Sequence, residues 1–273
     1  MSAETQAFFI VSSGRSGTAM LHKALSDGGD IEMHHEYMVH IVQPLAVRRY
    51  MGLIPSEDAK AVLRDTHGAA IRYSEAAHWG DSSNKLSWLI PELAELLPQA
   101  KFVHLVRDGR KVAGSYYRKL FAECYDDRST ATLQAHLADP ASHPAPPPEK
   151  KYWWPIPRDA AFQNFDQFER IAWHWAEINR TILDSLSALP FERHLFVRLE
   201  DLLVSPQLVR TMFEFLGVAY RNEHFASFAR PHNVNRPEDH PLTQAQRAAF
   251  DALAAPLMER LGYAERAEYV VNY

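Results

Sequence analysis

The sequence predicts an α/β protein of three layers, a central parallel sheet covered by helices on both faces. Two observations carry this: short apolar runs of strand length alternate with stretches of helical periodicity, and the first run breaks into a small-residue loop that opens a helix. Phe8, Phe9, Ile10 and Val11 form that first strand, aromatic and β-branched and too short for a buried helix. A helix follows from about Gly17. IEMHHE, residues 31–36, reads as a short second strand, with helices around 38–50 and 56–66 after it. GDSSNK leads into the helix of LSWLIPELAELL. Phe102 to Val106 then form another buried strand, and the helix beyond it starts at Asp108 or Gly109 and runs through Tyr116 and Tyr117.

Regular patterning stops from about Asp126 to Asp159, where DPASHPAPPPEKKYWWPIPRD is too proline-rich for a helix or a central strand. We expect a single domain over 1–273 with an irregular insertion or lid at about 126–160, because long loops inside compact domains are usually functional or disordered. Tyr152, Trp153 and Trp154 either stack there on a sugar or aromatic acceptor or anchor the loop to the body. Helical periodicity resumes with FQNFDQFERIAWHWAEINRTILDSL, whose Phe165, Phe168, Trp175, Ile178 and Ile182 share a buried face.

Charge and composition narrow the function. With 34 acidic against 29 basic residues the chain is mildly acidic, which argues against a general nucleic-acid surface and makes any anion site local. One cysteine, Cys124, allows no internal disulfide and suits a reducing, cytoplasmic setting. The first strand begins within about ten residues of Met1, so we expect neither a signal peptide nor a membrane span. Fourteen histidines supply no HExxH or paired-cysteine pattern, and His34 and His35 are adjacent rather than one helical turn apart, so no metal site is expected.

Two strand-to-helix junctions are built for anions. In SSGRSGTAML, Gly14 and Gly17 let backbone approach a ligand, Ser12, Ser13, Ser16 and Thr18 supply hydroxyls, and the helix start aims N–H groups at the loop. Arg15 adds a planar fork able to grip two oxygens of a phosphate or sulfate. The GK[ST] ending of a nucleotide P-loop is absent. In FVHLVRDGRKVAGSYY, Arg107 ends a strand, and Lys111 and Ser115 follow at four-residue steps along one side of the helix, a second place for an anion.

These two segments resemble the phosphosulfate loop and the 3′-phosphate strand and helix of sulfotransferases that use 3′-phosphoadenylyl sulfate (PAPS). HLFVRLEDLLVSP followed by MFEFLGV is similar to that family's later strand, turn and helix, and LTQAQRAAFDALAAPLMERLGY to the terminal helix of its bacterial and Golgi carbohydrate-type members. The resemblance implies the P-loop NTPase-like sulfotransferase fold. It implies a cofactor cradle of Ser13, Gly14, Arg15, Ser16, Gly17, Thr18 and Ala19, with Arg15 on the 5′-phosphosulfate and Arg107 and Ser115 on the 3′-phosphate. ARPHNVNRPEDHPLT, residues 229–243, is the counterpart of the loop that closes over the cofactor; it lacks the usual glycine, and its Arg236 would face the 3′-phosphate.

The reaction so implied is an in-line transfer of a sulfuryl group from PAPS to a hydroxyl or amine, leaving adenosine 3′,5′-bisphosphate and needing no metal. Positioning and charge stabilisation would do most of the work, with Arg15 neutralising the leaving oxygen. An acceptor hydroxyl needs a base. Glu36 stands where carbohydrate-type members place a catalytic glutamate, and His35 is the alternative. Lys85, in GDSSNKLSW, matches the segment that steadies the transferring group. Asp108, Glu200 and Asp201 are read as organising helix starts. The acceptor implied is a small molecule, a glycan or a hydroxylated metabolite. A P-loop kinase-like phosphotransferase and a non-catalytic nucleotide-binding module are the two other readings.

Overall fold

The structure, a computed structural model, describes residues 5–27, 30–157, 159–228 and 241–268. Its strands are β1 (Gln6–Val11), β2 (Ile31–His35), β3 (His78–Ser82), β4 (Lys101–Val106) and β5 (His194–Arg198). Its helices are α1 (Thr18–Ser26), α2 (Val39–Tyr50), α3 (Ser56–Leu63), α4 (Ala69–Tyr73), α5 (Ile90–Leu96), α6 (Gly109–Lys119), α7 (Asp127–Ala138), α8 (Ala160–Gln163), α9 (Gln167–Ser187), α10 (Leu199–Leu202), α11 (Pro206–Leu216), α12 (Asn222–Phe228) and α13 (Gln244–Arg260). The chain forms two compact units of three segments each: Met1–Met38, Ile54–Arg107 and Thr181–Val234 in the first, Val39–Leu53, Asp108–Arg180 and Asn235–Tyr273 in the second.

The first unit is built on a five-stranded sheet of order β2-β3-β1-β4-β5, with every neighbouring pair parallel. β1 lies at its centre, which explains the unbroken apolar run: a central parallel strand is covered on both faces. Side chains alternate across it. Phe8 and Ile10 join Leu21 and Leu25 of α1 and Met212 and Phe213 of α11 in one buried cluster. Phe9, on the other face, stacks on Phe102 at 5.6 Å and meets Trp79 edge-on at 6.2 Å and His67 at 6.2 Å. His67 belongs to a π-helical turn, Arg64–Gly68, that joins α3 to α4. The expected three-layer α/β arrangement is therefore present, and β3 is the one strand that neither the patterning nor the resemblance suggested. β3, HWGDS, has only one large apolar residue.

The second unit carries the segment expected to be irregular, and its first third is helical. Asp126 caps α7 by accepting the Ser129 N–H at 3.0 Å. The buried side of α7 is Ser129, Thr130, Leu133 and His136, spaced for a helix but mostly polar in type, so the apolar signal was hidden. The later helix is broken into α8 and α9; Phe168, Trp175, Ile178 and Ile182 are buried as expected, whereas Phe165 falls in the break between the two helices and is only half-buried. Gly109 opens α6 where a Cβ would lie 2.5 Å from Phe250 and 2.7 Å from Trp175, so only a glycine lets those rings close over the helix start.

Candidate active site

Open parallel sheets bind ligands at the carboxyl ends of their strands. On that side of the first unit, β1 runs into Ser12–Gly17, β2 into Glu36, β3 into Ser83, Asn84 and Lys85, and β4 into Arg107. The sheet thereby gathers four of the segments singled out from sequence.

Short hydroxyls shape the β1 loop. Ser12 Oγ accepts the Gly14 N–H at 3.0 Å, and Ser16 Oγ donates to the Gly14 carbonyl at 3.0 Å while lying 3.1 Å from Ser13 Oγ. Ser87 fixes the loop from outside, its Oγ accepting the Ser12 N–H at 3.0 Å and donating to the Ser12 carbonyl at 2.9 Å. Gly14, Arg15 and Gly17 all have positive φ, at 78°, 54° and 93°. For arginine this is a sparsely populated conformation, of the kind found at ligand clamps. Gly17 is also sterically required, since a Cβ there would lie 2.8 Å from Leu199 Cδ1. It is the N-cap of α1 and no side chain caps that helix, so the positive end of α1 and its first-turn N–H groups, at Thr18 and Ala19, are presented to the loop.

Arg107 reaches the same loop, its Nη1 donating to the Arg15 carbonyl at 3.0 Å. At the end of β2 Glu36 has φ 56°, and its N–H donates to the Ser82 carbonyl at 3.2 Å. Lys85 is buried, at 6% exposed, and its ammonium stands 3.6 Å from Glu36 Oε1 and donates to Asn84 Oδ1 at 2.9 Å. His35 Nδ1 lies 2.9 Å from both the carbonyl and the hydroxyl of Ser82. Its ring is 5.8 Å from that of His22, whose pKa is lowered by burial and then by His35. Sequence reasoning named this lysine but passed over Asn84, which holds it, and Ser87; GDSSNKLSW contained both.

The remaining candidates fall elsewhere. Ser115 is half-buried on the second turn of α6, in the second unit. Asp108 caps that helix, accepting the Arg110 N–H at 2.9 Å, and so organises structure as expected. Trp153 and Trp154 are buried within the second unit. The Trp153 indole donates to the Pro147 carbonyl at 2.9 Å and lies under Arg48 at 5.0 Å. The Trp154 indole donates to the Glu123 carbonyl at 2.8 Å and packs on Tyr116, Tyr125 and His174. Gln43 Nε2 also donates to the carbonyls of Lys150 and Trp153, stapling the proline-rich segment to α2. Of the two roles open to these tryptophans, loop anchoring is the one their contacts fit. Tyr152 is half-buried. Arg236 lies outside the described residues. Among the described residues no group of three histidine, cysteine or carboxylate side chains is arranged to hold a metal, and no helix is long and apolar enough to cross a membrane.

Comparison with known proteins bears on the family and the fold. The sulfotransferase family model matches residues 7–222. No curated protein matches the sequence. Among solved structures, the chain is similar to the sulfotransferase domain from the curacin biosynthetic pathway, with TM-score 0.55 at 15% identity over 93% of this chain and 97% of that one. It is similar to a sulfotransferase of Alicyclobacillus acidocaldarius, with TM-score 0.50 at 19% identity over 96% of each chain. A sulfotransferase of Mycobacterium avium gives TM-score 0.53 at 13% identity, covering 94% of this chain and 77% of that one. At such identities these structures speak to the fold.

Proposed function

The chain belongs to the sulfotransferase family, and we propose that it moves a sulfuryl group from PAPS to a hydroxyl of a glycan or a hydroxylated metabolite, in the cytoplasm, within a single domain spanning 1–273. What supports this reading is that Arg15, Glu36, Lys85 and Arg107 follow the carboxyl ends of adjacent strands, with Arg107 bonded to the Arg15 carbonyl, Lys85 3.6 Å from Glu36, and the start of α1 left without a side-chain cap. An anion at that helix start finds backbone donors and a macrodipole of favourable sign. The loop therefore fits a phosphosulfate, and Arg15 fits the charge that builds on the oxygen released as the S–O bond breaks.

Chemistry at the acceptor follows from the Glu36 and Lys85 pair. The Glu36 carboxylate takes the proton of the attacking hydroxyl, the acceptor oxygen bonds to sulfur, and the bond from sulfur to the 5′-phosphate oxygen breaks. Lys85 balances charge on the sulfuryl oxygens in flight. Arg107 and Ser115, by resemblance, and Arg236 in the closing loop are assigned to the 3′-phosphate. Tyr152 is assigned to the acceptor side.

Two measurements test the reading. In calorimetry adenosine 3′,5′-bisphosphate binds without magnesium and ATP binds poorly; magnesium-dependent ATP binding of equal strength would establish the kinase reading instead. With labelled PAPS and a panel of acceptors, Arg15→Ala loses about 100- to 1000-fold in turnover, the usual cost of removing one electrostatic stabiliser. Near-normal turnover in Arg15→Ala would overturn its role.

A further inference from the structure

Behind Glu36 lies a buried ionisable pair that the reaction above does not use. Asp81 of β3 and His67 of the π-helical turn are both fully buried, with His67 Nε2 3.5 Å from Asp81 Oδ2. Asp81 Oδ1 accepts the backbone N–H of Tyr37 at 3.3 Å. His67 Nδ1 lies 3.2 Å from the Thr66 hydroxyl, and its ring is boxed by Phe9, Tyr37 and Trp79 with centroids 5.3 to 6.2 Å away.

Placement of this pair follows from two local irregularities. A π-helical turn carries one residue more per turn than its neighbours, and such turns are frequent at functional sites; here the turn carries His67, which faces the sheet. The chain leaving β2 is equally unusual, since Glu36 and Met38 both have positive φ, at 56° and 52°, flanking Tyr37. Two left-handed non-glycine residues within three positions cost a few kcal/mol unless something holds them, on the scale of about 1–3 kcal/mol each. The holding contacts come from successive residues of one strand: the Glu36 N–H goes to the Ser82 carbonyl and the Tyr37 N–H to the Asp81 carboxylate.

We propose that Asp81 is a positioning residue for Glu36, clamping the strained Glu36–Met38 turn through the Tyr37 N–H so that the carboxylate stays opposite Lys85.

This inference rests on the reading of Glu36 as the base, and a mutant cycle on the full chain separates the two. A misplacement of about 1 Å costs on the order of 100-fold, so Asp81→Ala lowers kcat by that order while affinity for adenosine 3′,5′-bisphosphate stays within about twofold of wild type. Asp81→Asn, which keeps an acceptor for the Tyr37 N–H, regains at least about tenfold of that loss. The double variant Asp81→Ala, Glu36→Gln is no slower than Glu36→Gln alone, because a residue acting through Glu36 has nothing left to position. Multiplicative losses in the double variant, or an unchanged kcat in Asp81→Ala, would overturn the proposal while leaving Glu36 as base. Wild-type turnover in Glu36→Gln would instead remove the base assignment. If Asp81→Ala does not fold, Asp81→Val, which keeps the site filled and offers the Tyr37 N–H no acceptor, is read in the same cycle with the same expectations.

Discussion

Glu36 and His35 are neighbours in sequence with different surroundings, and the difference is why Glu36 is the one proposed as base. His35 Nδ1 is engaged with Ser82, and its ring faces His22 on α1, whereas Glu36 Oε1 lies 3.6 Å from the Lys85 ammonium. A general base contributes about 100- to 10,000-fold, so Glu36→Gln loses turnover by that order and keeps adenosine 3′,5′-bisphosphate affinity, while His35→Asn loses far less. Turnover under saturating PAPS checks this, and the opposite ranking would make His35 the base. Some of this site was legible residue by residue. Arg15 was, because glycines and hydroxyls around a lone arginine at a strand end have few other uses. Trp153 and Trp154 were not: an indole has a large apolar face and one donor, and those properties suit a ligand and a loop anchor equally until the partners, Pro147 and Glu123, are known.

At the level of elements, the β1 loop and α1 were readable because their requirements are local. Gly17 shows how strict these are. Its φ of 93° costs an L-residue roughly 1–2 kcal/mol, and a Cβ would meet Leu199 Cδ1 at 2.8 Å. Gly17→Ala therefore lowers the denaturation midpoint and weakens adenosine 3′,5′-bisphosphate binding together. Combined with Leu199→Ala it is less destabilising than the sum of the single changes, since the clash is gone. Additive losses by denaturant titration would show that Leu199 is not what Gly17 accommodates. β3 and α7 were not readable for the same reason in reverse. β3 buries Asp81 and Ser82 beside Trp79, and α7 buries Ser129, Thr130 and His136, so polar residues partnered only by the folded chain occupy positions where periodicity looks for apolar ones. The approach of His67 to Asp81 left no trace in sequence, because thirteen residues lie between them and only the folded chain brings the π-helical turn against β3.

Across the whole molecule, each unit holds a carboxylate whose ionised form is favoured by folding. In the first, Glu32 titrates below its ordinary value because the Ser74 hydroxyl donates to it at 2.6 Å, against the effect of burial and with help from His34. In the second, burial alone would raise Glu268, but Lys111 of α6 at 2.8 Å and Arg247 of α13 at 2.7 Å outweigh it and the net shift is downward. A carboxyl depressed in the folded state binds its proton less tightly there than in the unfolded chain. Its stabilising contribution is complete above the unfolded value of about 4.3 and is lost as pH falls through the lower folded value. Stability measured by denaturant titration should thus be flat in these terms near neutrality and fall below about pH 5. Glu268→Gln lowers stability at pH 7 and makes the acid limb shallower, since the variant has no proton left to take up at that position. Glu32→Gln does the same to a smaller degree, because an amide oxygen still accepts from Ser74. Curves for Glu268→Gln and wild type that remain parallel from pH 7 to the acid limb would show that the Lys111, Glu268 and Arg247 contacts do not stabilise the folded chain through charge.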